Sequence, residues 1–411
     1  MSQWKEYKLG EISELRKEGF MPNSDMVFPY IGLEHIEPES LSLNGIGKSS
    51  DVTSQKFKFY PNDVLYGKLR PYFKKVLSPN FEGVCSTDIY VVKAKNGVNS
   101  KYLFYLLATD EFTQLANSGS TGTRMPRADW KHLSETLWHI PDYPTQTAIA
   151  SILSSLDQKI ELNNAINRNL EALAQALFKQ WFVDFEYPNE NGEPYKSSGG
   201  EMVESELGMI PKEWRVKRLK EILTIKRGGS PRPIQDFIAE TGLPWVKISD
   251  ATAISNPFLF STKEYIKVEG LKKTILLKKG SLILSNSATP GLPKFLELDA
   301  CIHDGWLHFQ DIKDLSYNYL YLLFIHIRQN LIGQGNGSIF INLKTDILKD
   351  YPISIASIKI LDDFNKAIEP IFEQIKALSK EVIELSNIRD IILPKLISGE
   401  LEVKDINTVS V

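Results

Sequence analysis

Cysteine is nearly absent: among 411 residues there are two, Cys85 and Cys301. Two thiols so far apart exclude a disulfide framework and a Cys-rich zinc site, and they fit a reducing cytoplasm. Histidine is scarce, and His35, His132, His139, His303, His308 and His326 show no metal-ligand spacing. No apolar run approaches the length of about 18 residues that a membrane span requires. The start, Met1-Ser2-Gln3-Trp4-Lys5-Glu6, lacks the apolar region of a signal peptide. The expectation is therefore a cytoplasmic protein with no membrane partner. Neither charge is in excess: 48 Lys and Arg against 51 Asp and Glu leave a net charge of −3. A nucleic-acid binder of this composition has to gather its basic residues on one face.

With 42% hydrophobic residues the chain buries real cores, and its length predicts two or more domains. Its most regular stretch is 144–185, where Ile149, Leu153, Leu156, Ile160, Asn163, Asn167, Leu170, Ala174, Leu177 and Trp181 follow one another in steps of four and three. That stepping is the seam of a long helix packed on another helix in coiled-coil fashion. Some forty residues make a rod of about 60 Å. The stepping returns at Phe364, Ile368, Ile371, Ile375, Leu378, Val382, Leu385, Arg389, Ile392 and Leu396, so the two helices are expected to pair. Pro370 predicts a kink or a helix start within the second pattern. Asn163 and Asn167 interrupt the first seam. Either they fix the register of the pair, as buried Asn does in coiled coils, or they mark a wet spot where partners dock.

An internal repeat organises the rest. Trp4 to Ile12 answers to Trp214 to Ile222, Pro29-Tyr30-Ile31 to Pro244-Trp245-Val246, and Asn62 to Tyr66 to Gly280 to Leu284. Cys85 to Asp88 answers to Cys301 to Asp304, Tyr102 to Leu107 to Tyr319 to Phe324, and Ser118-Gly119-Ser120 to Gln334-Gly335-Asn336. The offset stays near about 215 residues, so this is a duplicated domain-plus-helix and not a solenoid. Strands are expected over 28–33, 56–60, 63–65 and 88–93, with one helix over 101–116 and a glycine loop over 117–124. The second half repeats that order at 282–285, 306–309, 317–329 and 333–338. The fold class is α+β: two mixed α/β domains in tandem repeat, separated by two long helices that pair as a coiled coil. The intervening stretch 187–208 is rich in Gly, Ser, Glu and Asn and reads as a linker.

Three passages carry a family resemblance. Ala174 to Phe185 (AQALFKQWFVDF) is one, Gly208 to Trp214 (GMIPKEW) followed by Leu219 is the second, and Leu396 to Leu401 (LISGEL) is the third. With them the chain resembles the specificity (S) subunit of type I restriction-modification systems, over its whole length and in domain order. The approach to the first long helix, Pro141 to Gln146, departs from the family in lacking a Glu. The resemblance implies target-recognition domains at 1–142 and 209–355, a central helix at 143–186, a linker at 187–208, a C-terminal helix at 356–400 and a tail at 401–411. It implies a non-catalytic subunit in which each domain reads half of a split double-stranded DNA site. The helices would set the spacer and dock two methyltransferase subunits, with restriction subunits in the same complex. S-adenosylmethionine, ATP and Mg would sit on those partners and no cofactor on this chain.

Phosphate binding needs Arg and Lys on one surface, and base reading needs Arg, Lys, Asn, Gln, Ser or Thr at groove edges. The candidates in the first half are Lys68, Arg70, Lys74 and Lys75, and then Thr121, Thr123, Arg124 and Arg127 among glycines that permit close approach. In the second half they are Lys226, Arg227, Arg232, Asn286, Gln334, Asn336 and Ser338. For helix pairing they are Leu153, Leu156, Ile160, Asn163, Asn167, Leu170 and Leu177, facing Ile371, Ile375, Leu378, Val382 and Leu385. Catalytic motifs fail on their own terms. Ser255-Asn256-Pro257-Phe258 lacks the second Pro of an amino-methyltransferase tetrad. Gly47-Lys48-Ser49 lacks the first Gly of a phosphate loop, and Pro141-Asp142 with Asp157-Gln158-Lys159 lies on or beside the long helix, not on nuclease strands. The alternative from another class is a protein-interaction scaffold with two globular ends on a helical rod.

Overall fold

The computed structural model describes residues 4–23, 25–120, 122, 124–333 and 342–406. They form two compact units, Met1–Leu162 with Ile383–Val411, and Asn163–Val382.

In the first unit, Lys5–Lys8 pairs antiparallel with Leu137–Ile140. An antiparallel four-stranded sheet follows in the order Ser13–Leu15, Ile89–Ala94, Val64–Gly67, Val76–Leu77. A second sheet has the order Gly19–Phe20, Lys56–Phe59, Gly83–Cys85, Pro29–Ile31, Gly47–Lys48. The helix expected over 101–116 is two helices, Ser100–Leu107 and Asp110–Ser118. Thr109 divides them. Its hydroxyl accepts from the Phe112 amide at 3.2 Å, and Asp110 and Glu111 place acid at the new N-terminus. A core of Leu9, Val64, Tyr102, Leu103, Leu106 and Trp138 includes Ile149 and Leu153 of one long helix and Leu393 and Leu396 of the other.

The second unit repeats this plan. Arg215–Arg218 pairs with Pro352–Ile355. The sheet order Thr224–Arg227, Trp306–Gln310, Leu282–Ser285, Pro293–Leu296 matches the first unit's four strands, and Phe258–Leu259 adds a fifth. In the companion sheet Trp245 lies parallel to Cys301, as Tyr30 lies to Val84 in the first unit. This register corrects the cysteine equivalence. Cys301 stands where Val84 stands, and Cys85 matches Ile302. The amides of Ser86 and His303 then donate alike, to Ile31 O (2.9 Å) and Val246 O (3.1 Å). The two cysteines stand one position apart in the repeats, and a one-residue shift exchanges the faces of a strand.

The stretch 187–208 is ordered, not a loose linker. Tyr187 is buried and stacks on Tyr195 at 4.7 Å and on Trp214 at 5.4 Å. Met202–Ser205 and Gly208–Pro211 form a hairpin. Three aromatic rings supply the apolar area that the polar composition of the segment hides.

The long helices are Tyr143–Phe182 and Ile358–Ser398. The second runs unbroken through Pro370. A proline inside a helix costs about 3 kcal/mol, and Leu361, Phe364, Ile368, Phe372 and Ile375, all buried, offset that cost on both sides of it. In the first unit Leu153 and Ile160 are buried, while Leu156 and Leu385 are half-buried. In the second, Asn163, Asn167 and Ile375 are buried, while Leu170, Leu177, Ile371, Leu378 and Val382 are half-buried. The buried row of the second helix passes through Phe372 and Ser379, one residue beyond Ile371 and Leu378. The reason is a second step of four, from Ile368 to Phe372, which rotates the seam.

Candidate nucleic-acid interface

In the first unit the basic loop begins where strand Val64–Gly67 ends. Lys68 donates its amide to Asp88 O at 3.0 Å and accepts from the Ala128 amide at 2.9 Å. The Arg70 amide donates to Pro126 O at 2.8 Å, and Leu69 lies opposite Arg127. Two segments separate in sequence are thus joined by backbone bonds, which bring Lys68, Arg70 and Arg127 together. Arg70 (φ +53°) and Lys74 (φ +47°) are left-handed, a conformation that costs roughly 1–2 kcal/mol in a residue with a side chain. Such strain persists where surrounding structure enforces it, and it concentrates at functional sites.

Side-chain partners separate these residues. Arg127 Nε lies 3.1 Å from Asp88 Oδ1 and its side chain is otherwise exposed. Arg124 is exposed. Arg70 Nε is buried and without a hydrogen-bond partner among the described residues. Lys74 is paired with Asp110 at 2.6 Å. Lys75 donates to Leu33 O at 2.5 Å, and burial lowers its pKa. Lys74 and Lys75 thus each have a partner within the unit. Exposed Tyr72 and Phe73, 4.7 Å apart, border the loop. Thr121 and Thr123 lie outside the described residues.

In the second unit Asp304 is the organising group. It accepts from Ser230 Oγ at 2.7 Å, and Arg232 Nη2 lies 3.5 Å from its other oxygen. Arg227 Nε donates to its carbonyl at 2.5 Å. His303 Nε2 lies 3.0 Å from Oδ1. Burial raises the Asp304 carboxyl, but the Ser230 hydroxyl and then the charges of His303, Arg227 and Arg232 bring it below its ordinary value. Burial lowers the pKa of His303 in spite of its carboxylate neighbour. Lys226 is exposed on its strand opposite His308. Asn286 is a correction: it is buried, its backbone N–H donates to Gly305 O (2.8 Å), its backbone carbonyl accepts from the Leu343 N–H (2.7 Å), and its side-chain Oδ1 has no partner among the described residues. It therefore belongs to the fold and not to the surface. Gln334, Asn336 and Ser338 lie outside the described residues.

Asp88, Asp304 and His303 were not among the sequence candidates, whereas Ser230 lies within the candidate segment Lys226 to Arg232. Acidic residues are not what a search for phosphate-binding side chains selects, and only the adjacency of His303 and Asp304 hinted at a cluster. The Asp88 carboxylate meets one arginine, Arg127, and the Asp304 carboxylate meets Arg232, while the Asp304 backbone carbonyl holds Arg227. Among the described residues no cluster of His, Cys, Asp and Glu has metal-holding geometry, and no helix is long and apolar enough to cross a membrane.

The family described as type I restriction modification DNA specificity domain matches residues 1–172 and 211–387. The HindI specificity subunit of a type I restriction enzyme from Haemophilus influenzae is 28% identical, over 98% of this chain and 100% of the relative. The MjaIX specificity subunit from Methanocaldococcus jannaschii is 28% identical, over 76% of this chain and 71% of the relative. The solved type I restriction-modification S subunit from M. genitalium shares the fold, with a TM-score of 0.58 at 14% identity over 96% of both chains.

Proposed function

The chain belongs to the type I restriction-modification DNA specificity family, and from that premise we propose that each of its two units reads one half of a split double-stranded DNA site. One observation carries the reading. In both repeats an acidic residue just before the same sheet strand meets arginine: Asp88, before Ile89–Ala94, pairs with Arg127, and Asp304, before Trp306–Gln310, meets Arg232 at its carboxylate and Arg227 at its backbone carbonyl. Exposed guanidinium N–H groups bind phosphate oxygens or guanine edges, and two similar but non-identical patches suit two different half-sites.

The same reading makes the chain non-catalytic and assigns the chemistry to partners. Two methyltransferase subunits would carry S-adenosylmethionine, and restriction subunits would carry ATP and Mg. Support for docking comes from apolar side chains left exposed on the paired helices. They include Leu162, Ile383, Ile388 and Ile391 in the first unit, and Leu173 and Ile358 in the second. Exposed apolar residues on helices that already have a partner are the composition expected of a second interface.

The test is a map of methylated bases in cells carrying this chain with its methyltransferase subunit. A split motif with a fixed gap is expected, and exchanging residues 4–142 for those of a relative should change one half alone. Active, bound methyltransferase with no split motif would overturn the reading.

A further inference from the structure

A cleft of about 540 Å³ opens in the first unit beside the basic loop, lined by Lys17, Lys68, Tyr90, Trp130 and Lys131 among others. Its origin is a difference between the repeats. In the second unit the edge strand continues: Arg227 lies opposite Leu307, and the Gly228 amide donates to Trp306 O at 2.8 Å. In the first unit the equivalent strand ends at Leu15, and the Arg16 amide makes the last bond, to Val91 O at 2.8 Å. The chain then crosses to the other sheet, where Gly19 lies opposite Phe57. The edge at Ile89 and Tyr90 has no strand partner on that side among the described residues, and the cleft occupies the place.

We propose that this cleft takes a single nucleotide. Tyr90 and Trp130 form an aromatic corner, their rings 5.7 Å apart, which suits the face of a base. The Lys68 ammonium lies 5.3 Å from the centre of the Tyr90 ring, and Lys17 and Lys131 are exposed at the rim. None of the three ammonium groups meets a carboxylate among the described residues, whereas Arg16, also in the lining, is bound to Asp63 at 2.8 Å and 3.2 Å. Asp129 also lines the cleft, where its Oδ1 accepts from the Lys131 amide at 3.0 Å, and the Lys68 ammonium lies over the Tyr90 ring, so Lys17 and Lys131 at the rim carry the charge offered to the phosphate of a stacked nucleotide. The volume falls within the range of about 300–1,000 Å³ usual for small-ligand sites. The nucleotide has two possible sources, a base everted from bound duplex or a free mononucleotide. The duplex source rests on the function proposed above; the free source does not.

Both are tested on the full chain without partner subunits. 5′-AMP and dAMP are titrated by calorimetry into the wild type and into Trp130→Leu, Lys131→Gln and Lys17→Gln, with circular dichroism as the check of folding. Duplexes containing the mapped site, with 2-aminopurine at successive positions, are followed by fluorescence. Mononucleotide binding about tenfold weaker in Trp130→Leu and in at least one lysine variant is expected. Brightening at one position, lost in the same variants, identifies the duplex as the source. Mononucleotide binding with no brightening identifies the free ligand. The proposal fails if neither probe responds, or if the responses ignore all three substitutions. Absence of duplex binding altogether would sink the proposed function, and the mononucleotide titration would still decide the cleft.

Discussion

Arg127 and Lys74 are both ion-paired, but with different consequences. Arg127 keeps an exposed side chain after meeting Asp88, whereas Lys74 turns its ammonium to Asp110 and is itself largely covered. Each phosphate neutralised contributes about 0.9 to the slope of log affinity against log salt. Arg127→Ala is therefore expected to weaken DNA binding and flatten that slope by about 1, while Lys74→Gln leaves the slope unchanged; filter binding across a salt series measures both. Lys294 gives a pH prediction. It is buried, donates to Ile254 O at 3.1 Å and to Asn256 O, and burial lowers its pKa from 10.5 to about 8. Below about pH 8 both folded and unfolded states carry the charge, and the burial penalty is fully present. Between about 8 and 10.5 the unfolded chain holds the proton and the folded one does not, so stability rises with pH. Denaturant titrations of wild type and Lys294→Met over that window should show the wild type gaining on the order of 3 kcal/mol relative to the variant.

The long helices carry polar groups where a plain seam would be apolar. In the first unit Arg389 is buried and reaches Asp157 Oδ1 at 2.9 Å, and Tyr105 Oη donates to the other Asp157 oxygen at 2.6 Å. Burial and then the Asp157 charge push the Tyr105 phenol far above its ordinary pKa, so it remains a donor at any working pH. Removing one partner of a buried pair leaves the other uncompensated. Arg389→Ala is expected to cost about 3 kcal/mol, and Asp157→Asn with Arg389→Met to recover most of it, as read by chemical denaturation. In the second unit Asn163 donates to Glu381 at 2.8 Å and Asn167 to Ser379 at 3.1 Å. The Oδ1 atoms of both Asn are buried without partners among the described residues. Such groups lower stability, and replacing both sides with apolar residues is often favourable. Asn167→Leu with Ser379→Ala should therefore raise the melting temperature by a few degrees. A fall would show that the Asn–Ser bond outweighs the orphaned oxygen.

For the chain as a whole, net charge and function are uncoupled. A net charge of −3 gives no attraction to DNA by itself, so the proposed function requires the local basic clusters in each unit to supply it. The duplication, the helix periodicity and the family motifs were legible in the sequence because each is a pattern of residue types at fixed spacing. Spacing survives without coordinates. The candidate loops at 68–75 and 124–127 were legible as basic, glycine-flanked segments, but their joining through Leu69 and Arg127 was not, since a bridge between segments about sixty residues apart leaves no local signal. Nor was the commitment of Lys74 and Lys75 to internal partners, or the burial of Asn286. The sequence by itself determined the two repeats, the two long helices and the family. Tertiary structure alone decided which basic residues keep outward N–H groups, which carboxylates hold them, and where one repeat leaves a strand edge uncovered. The reason is that periodicity is encoded along the chain, whereas charge pairing and edge coverage depend on which distant segments meet.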